Sequence, residues 1–163
     1  MSHDPADARR AILFRAIQIE ARNGGVYDSL AQLFQGYDDS VTALFCEMAA
    51  EERQHGAQLE QQYRERFGPV PSSEEEPKEV IEAADLEDPE ALIFDSMSIE
   101  QALTTGLHTE QAAREFYRLE ASRASDPELE TVYRELAEFE ESHVRRLNEK
   151  LLERRSAGGG AAK

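Results

Sequence analysis

The sequence predicts an all-α fold, a four-helix bundle made of two helical hairpins that one long crossover joins. Three observations carry this. Ala, Leu, Glu, Gln and Arg dominate the chain and runs of β-branched residues are missing, a composition that favours helix. Glycine and proline fall into a few clusters, which divide the chain into four long segments. Only the connection between the second and third segments is long, whereas a simple up-down-up-down bundle needs short loops throughout. At 163 residues the chain has the size of one ordinary domain.

The first helix opens at Asp4 as N-cap with Pro5 at its first position, and it is expected to end near Phe34 or Gln35, before Gly36. Asp39 or Ser40 caps the second, which continues to Phe67 and stops at Gly68-Pro69. The crossover follows over about 68–97, reading PVPSSEEEPKEV and then IEAADLEDPEALIFDS, with room for one short helix. Ser98, with Gln101 three residues on, forms a capping box for the third helix, which lasts to about Ser122 or Ala124. Asp126-Pro127 repeats the opening device of the first helix, and the fourth helix runs to about Arg155. This makes one domain over 1–155. The tail SAGGGAAK (156–163) is expected to be disordered, a frayed end or a linker remnant.

Acidic residues number 34 against 18 basic ones, for a net charge of −16. Such a chain repels phosphates, so nucleic acid is not an expected partner and an anionic membrane surface is disfavoured; cations are attracted. The lone cysteine, Cys46, leaves no intrachain disulfide and no Cys-x-x-Cys metal site, and it reads as a small buried filler. No stretch approaches the roughly 20 apolar residues that span a bilayer. The start MSHDPADARR, with His3 in a disordered end, lacks the apolar core of a signal peptide. A cytoplasmic protein is the expectation.

The chain repeats itself. EARNGGVY in the first helix and EQAAREFY in the third each place a Glu seven residues before a Tyr: Glu20 and Tyr27, Glu110 and Tyr117. The second and fourth helices each carry Glu-x-x-His, as Glu52 with His55 and Glu140 with His143. These residues fall on the apolar stripes at helical spacing. The stripes read Leu13, Ile17, Glu20, Gly24, Tyr27, Ala31, Phe34; then Val41, Leu44 or Phe45, Met48, Glu52, His55, Leu59. The other two read Ile99, Leu103, Gly106, Glu110, Ala113, Tyr117 and Leu129, Val132, Leu136, Glu140, His143, Leu147, Leu151.

A carboxylate buried without a partner costs several kcal/mol. Four of them on buried stripes call for cations, and two divalent ions balance their charge. A Glu and His at i, i+3 share a helix face and can hold one metal, with single Glu residues from the other helices bridging or capping. Several divalent first-row metals suit such ligands, manganese and zinc among them. Tyr27 and Tyr117 are either plain core residues or hydrogen-bond donors to ligand carboxylates. Glu51, Glu141 and His108 read as surface. Gly24 and Gly25 signal close helix approach, room for a small oxidant, or a local bulge beside Glu20.

On Glu20, Glu52-x-x-His55, Glu110 and Glu140-x-x-His143 the sequence resembles the rubrerythrin-type branch of the ferritin-like superfamily, over about residues 5–155. The resemblance implies a ferritin-like bundle with a non-haem di-iron site that reacts with O₂ or hydrogen peroxide, in a homodimer. Two departures stand out. Rubrerythrins carry a second carboxylate three residues after the first in the third helix, where this chain has Ala113. Full-length members also have a four-cysteine rubredoxin domain, so electrons would come here from an external donor. The function expected is an iron-dependent oxidase, ferroxidase-like or peroxidase-like. The alternative is a non-catalytic iron-binding, storage or regulatory module of a larger protein.

Overall fold

A computed structural model of the chain describes residues 5–72 and 97–159. Four helices follow one another: α1 (Pro5–Phe34), α2 (Asp39–Phe67), α3 (Ile99–Arg123) and α4 (Pro127–Gly159). No strand occurs among the described residues. Asp4, His3 and the interior of the crossover lie outside them.

Local chemistry sets the ends. Between α1 and α2, Gly36 takes φ 77°, a left-handed conformation that glycine adopts without strain. The N-cap of α2 is Asp38 rather than Asp39 or Ser40: its carboxylate accepts from Val41 N at 2.9 Å. Its extended backbone keeps it outside the helix, whereas Asp39 is already helical. Asp38 also pairs with Arg154 of α4, a second reason for this register. Gly68, at φ 83°, ends α2. The capping box at Ser98 and Gln101 is present in both directions. Helix α4 reaches Gly159, four residues past the expected end at Arg155. Each added residue extends an existing helix, so no new nucleation is required.

Helices α1 and α2 pack as one hairpin and α3 and α4 as another, and the hairpins meet along α1 and α3. Cross-links fix the directions. Arg66 reaches Glu128, Arg146 reaches Glu47, and Lys150 reaches Ser40, so α2 and α4 run antiparallel. Tyr27 bonds to Glu110 while Tyr117 bonds to Glu20, so α1 and α3 are antiparallel too. This is the ferritin-like bundle.

The apolar core is split in two. One cluster gathers Leu13, Ile17, Leu59, Tyr63, Tyr117, Leu129 and Leu136; the other gathers Val26, Tyr27, Leu30, Phe45, Met48, Leu103 and Leu147. Between them, at mid-height on all four helices, lies a buried polar layer. Cys46 belongs to neither cluster: it is exposed, because Phe45 and Ala49 occupy the inward positions of that turn.

Helix α1 runs without interruption through Gly24, so there is no bulge there, and the packing against α2 does not require a glycine. A Cβ placed at Gly24 would stand 3.5 Å from Glu52 Cβ and 3.7 Å from Ala49 O, ordinary contact distances. Gly24→Ala is therefore expected to stabilise the protein by up to about 1 kcal/mol through helix propensity. Urea unfolding checks this, and a loss of stability would mean that α1 and α2 pack more closely than described.

Candidate metal centre

The polar layer consists of Glu20 from α1, Glu52 and His55 from α2, Glu110 from α3, and Glu140 and His143 from α4. All four carboxylates are fully buried, and His55 and His143 are 4% and 1% exposed. All six sequence-expected residues thus meet in one place. One ligand-type atom each from Glu20, Glu52, His55 and Glu140 lie within 4.8 Å of one another, and so do those of Glu52, Glu110, Glu140 and His143. Two groups of four therefore share Glu52 and Glu140. The sharing resolves a point that spacing leaves open, because it puts the Glu-x-x-His carboxylates in the middle and Glu20 and Glu110 at the two ends.

Both histidines face the layer with Nδ1. In His55 it lies 3.3 Å from Glu20. In His143 it lies 3.1 Å from Glu52, 3.3 Å from Glu110 and 3.4 Å from Glu140. Glu20 Oε2, His55 Nδ1 and both carboxylate oxygens of Glu52 and Glu140 have no hydrogen-bond partner among the described residues. Buried polar atoms are ordinarily satisfied. Six such atoms, all oxygen or imidazole nitrogen and converging from three helices, suit a pair of divalent first-row ions.

Tyrosines close the layer at both ends. Tyr27 donates to Glu110 across the hairpin boundary, and Tyr117 donates to Glu20 in the reverse sense. Both rings are fully buried, and Tyr27 lies against Gly106, where a Cβ would come within 3.3 Å of it. Hence Tyr27 and Tyr117 do bond to candidate ligand carboxylates rather than merely fill the core.

Burial, reinforced by Glu110, holds the carboxyls of Glu52 and Glu140 well above the ordinary range. Burial also pulls Glu110 upward, but the facing Glu140 and the hydrogen-bonded His143 and Tyr27 outweigh it and leave this group below its usual value. For His143, burial acts downward, and the facing Glu110, Glu140 and Glu52 overcome it and raise the imidazole. Burial raises Tyr27 and Tyr117 well above the ordinary phenol, with Glu110 and Glu20 adding to it.

Sequence reasoning missed three participants. Glu51, read as surface, accepts from Arg146 and lies 2.7 Å from His143 Nε2. Phe139 packs on His55, with ring centroids 4.5 Å apart. Asn23 is fully buried one turn after Glu20, and neither amide atom has a partner among the described residues. Its i, i+3 spacing from Glu20 was a readable signal. By contrast Glu141 pairs with Arg114 and Arg118 at the surface, and His108 is exposed, as expected.

Fold and site define a carboxylate-rich four-helix bundle with a candidate two-metal centre. The rubrerythrin family model matches residues 11–151, and the chain belongs to that family. Among solved structures, it is similar to an uncharacterised conserved protein from Magnetospirillum magnetotacticum, with 22% identity, 93% of this chain and 95% of that one covered, and a TM-score of 0.68. A hypothetical protein from Pyrococcus furiosus is similar at 24% identity, 87% coverage of each chain and a TM-score of 0.65. At these identities the structural matches show the fold alone. No curated protein matches the chain.

The raised groups make stability depend on pH. Glu52, Glu140 and His143 keep protons in the folded chain that they lose in the unfolded one. Their contribution is complete below the unfolded values, about 4.3 for Glu and 6.5 for His, and drains away as pH rises toward the folded values. Glu110 acts oppositely, and its contribution is complete by about pH 6. Chelator-treated protein is therefore expected to lose stability between pH 6 and 9, by up to about 1.4 kcal/mol per pH unit for each such proton. Thermal melts across that range check this; a flat or rising profile contradicts it.

Proposed function

We propose that this chain is a di-iron oxidase that oxidises Fe²⁺ with O₂ or hydrogen peroxide. The observation that carries the reading is the pair of four-residue groups sharing Glu52 and Glu140 in the middle of the core. Glu20 and His55 would complete one metal position, and Glu110 and His143 the other. The iron pair, when bound, supplies two electrons to the oxidant.

The protein's own residues supply the rest. Four carboxylates in a layer closed by two apolar clusters compensate the charge of two divalent ions where water cannot. Tyr27 and Tyr117, donating to Glu110 and Glu20, hold the terminal carboxylates in place and keep protons near them. Ala113 stands where related proteins have the extra carboxylate of the third helix, so the movement of a metal between that carboxylate and a histidine has no acceptor here. Cys46 is exposed, away from the buried layer, and is the only cysteine. A peroxidase cycle would thus take its electrons from a donor outside residues 1–163. Without one, turnover is ferroxidase-like, with Fe³⁺ released or passed on.

Anaerobic loading with Fe²⁺ is expected to give about two irons per chain by elemental analysis. Many Fe²⁺ oxidised per site supports the oxidase, whereas oxidation that stops at stoichiometric uptake supports iron storage or regulation. Glu52→Ala and His143→Ala are each expected to lower the oxidation rate by at least about 100-fold. Unchanged rates in both variants would sink the assignment.

A further inference from the structure

Glu51 and Phe139 occupy the same place in the internal repeat, each immediately before the Glu of a Glu-x-x-His. Both reach across to the opposite Glu-x-x-His helix, yet they meet its histidine with different chemistry. Glu51 crosses from α2 to α4, where its Oε2 lies 2.7 Å from His143 Nε2. The same oxygen accepts from Arg146 Nη1 at 2.7 Å, and Arg146 Nη2 reaches Glu47 at 2.9 Å. His143 is therefore gripped from outside by an anchored carboxylate while its Nδ1 faces the buried glutamates. Phe139 crosses the other way, and its ring lies 4.5 Å from that of His55 at 40°. A phenyl ring offers no oxygen to an imidazole N–H, and Phe139 is half exposed.

The geometry points to two inequivalent metal positions: the Glu110–His143 position, whose histidine Glu51 locks, binds tighter and fills first, and the Glu20–His55 position is the weaker, exchangeable one. This rests on the two-metal reading above. A carboxylate on the outer nitrogen fixes the imidazole tautomer and ring orientation, leaving the inner nitrogen's lone pair for the metal; losing such a partner typically costs about 10–100-fold in affinity. Glu51 is thus a positioning residue, acting through His143. In an oxidase whose iron is also its substrate, the position backed by Phe139 is the one through which Fe²⁺ is exchanged.

The test is a calorimetric titration of chelator-treated protein with Co²⁺ under anaerobic conditions, followed in parallel by Co²⁺ absorption. Wild type is expected to show two classes of site separated by at least about 10-fold. Glu51→Ala should weaken the tighter class by about 10–100-fold and leave the other unchanged. Glu51→Gln, which keeps a hydrogen-bond acceptor, should recover part of that loss. Phe139→Glu, which installs the missing carboxylate, should tighten the weaker class. Two equal classes in wild type, or a Glu51→Ala titration that overlays wild type at unchanged thermal stability, overturns this inference alone. No Co²⁺ binding at all overturns the two-metal reading and this inference with it.

Discussion

The structure is organised around the cost of burying four carboxylates in one layer. Glu20, Glu52, Glu110 and Glu140 are sealed from water by apolar clusters on both sides. An uncompensated ionised carboxylate in such a place costs several kcal/mol, enough to consume the stability of an ordinary domain. Protons answer part of this, since Glu52 and Glu140 hold theirs far more tightly than usual and His143 is drawn to the charged form. Protons and cations compete for the same oxygens, so metal binding must release protons. The layer is a candidate binding site because it is a poor core.

The two hairpins depend on each other through that layer. Each supplies a terminal glutamate that the other's tyrosine holds, and each supplies one of the two glutamates shared at the centre. Neither hairpin could assemble the layer alone. Along α2 and α4 the joining contacts are long polar side chains, among them Arg146 with Glu47 and Glu51, and Arg66 with Glu128. Exposed pairs of this kind contribute little stability individually. Their effect here is register, which sets Glu51 opposite His143 and Phe139 opposite His55.

Fold and layer were legible because both are periodic signals. Polar residues that interrupt an apolar stripe at helical spacing must face the core, and a duplicated Glu-x-x-His states the same thing twice. Residues just off the stripe were not legible in this way. Glu51 and Glu141 both adjoin a stripe carboxylate, yet one clasps a histidine and the other pairs with Arg114 and Arg118 at the surface. Which neighbour such a residue meets depends on how far the helices are rotated and offset, a tertiary quantity absent from the spacing. Cys46 failed for a related reason: with Phe45 inward, the next position turns outward. At Asp38, Asp39 and Ser40 three consecutive good caps left the choice to backbone geometry.

Diffraction from crystals loaded anaerobically with Fe²⁺, recorded on both sides of the iron absorption edge, tests the central claim most directly. The account predicts two anomalous peaks per chain inside the bundle, one beside His55 and Glu20, the other beside His143 and Glu110, with Glu52 and Glu140 lying between and touching both. A loaded crystal with no peak in the layer, or with a single peak that leaves one histidine unliganded at saturating iron, would contradict it.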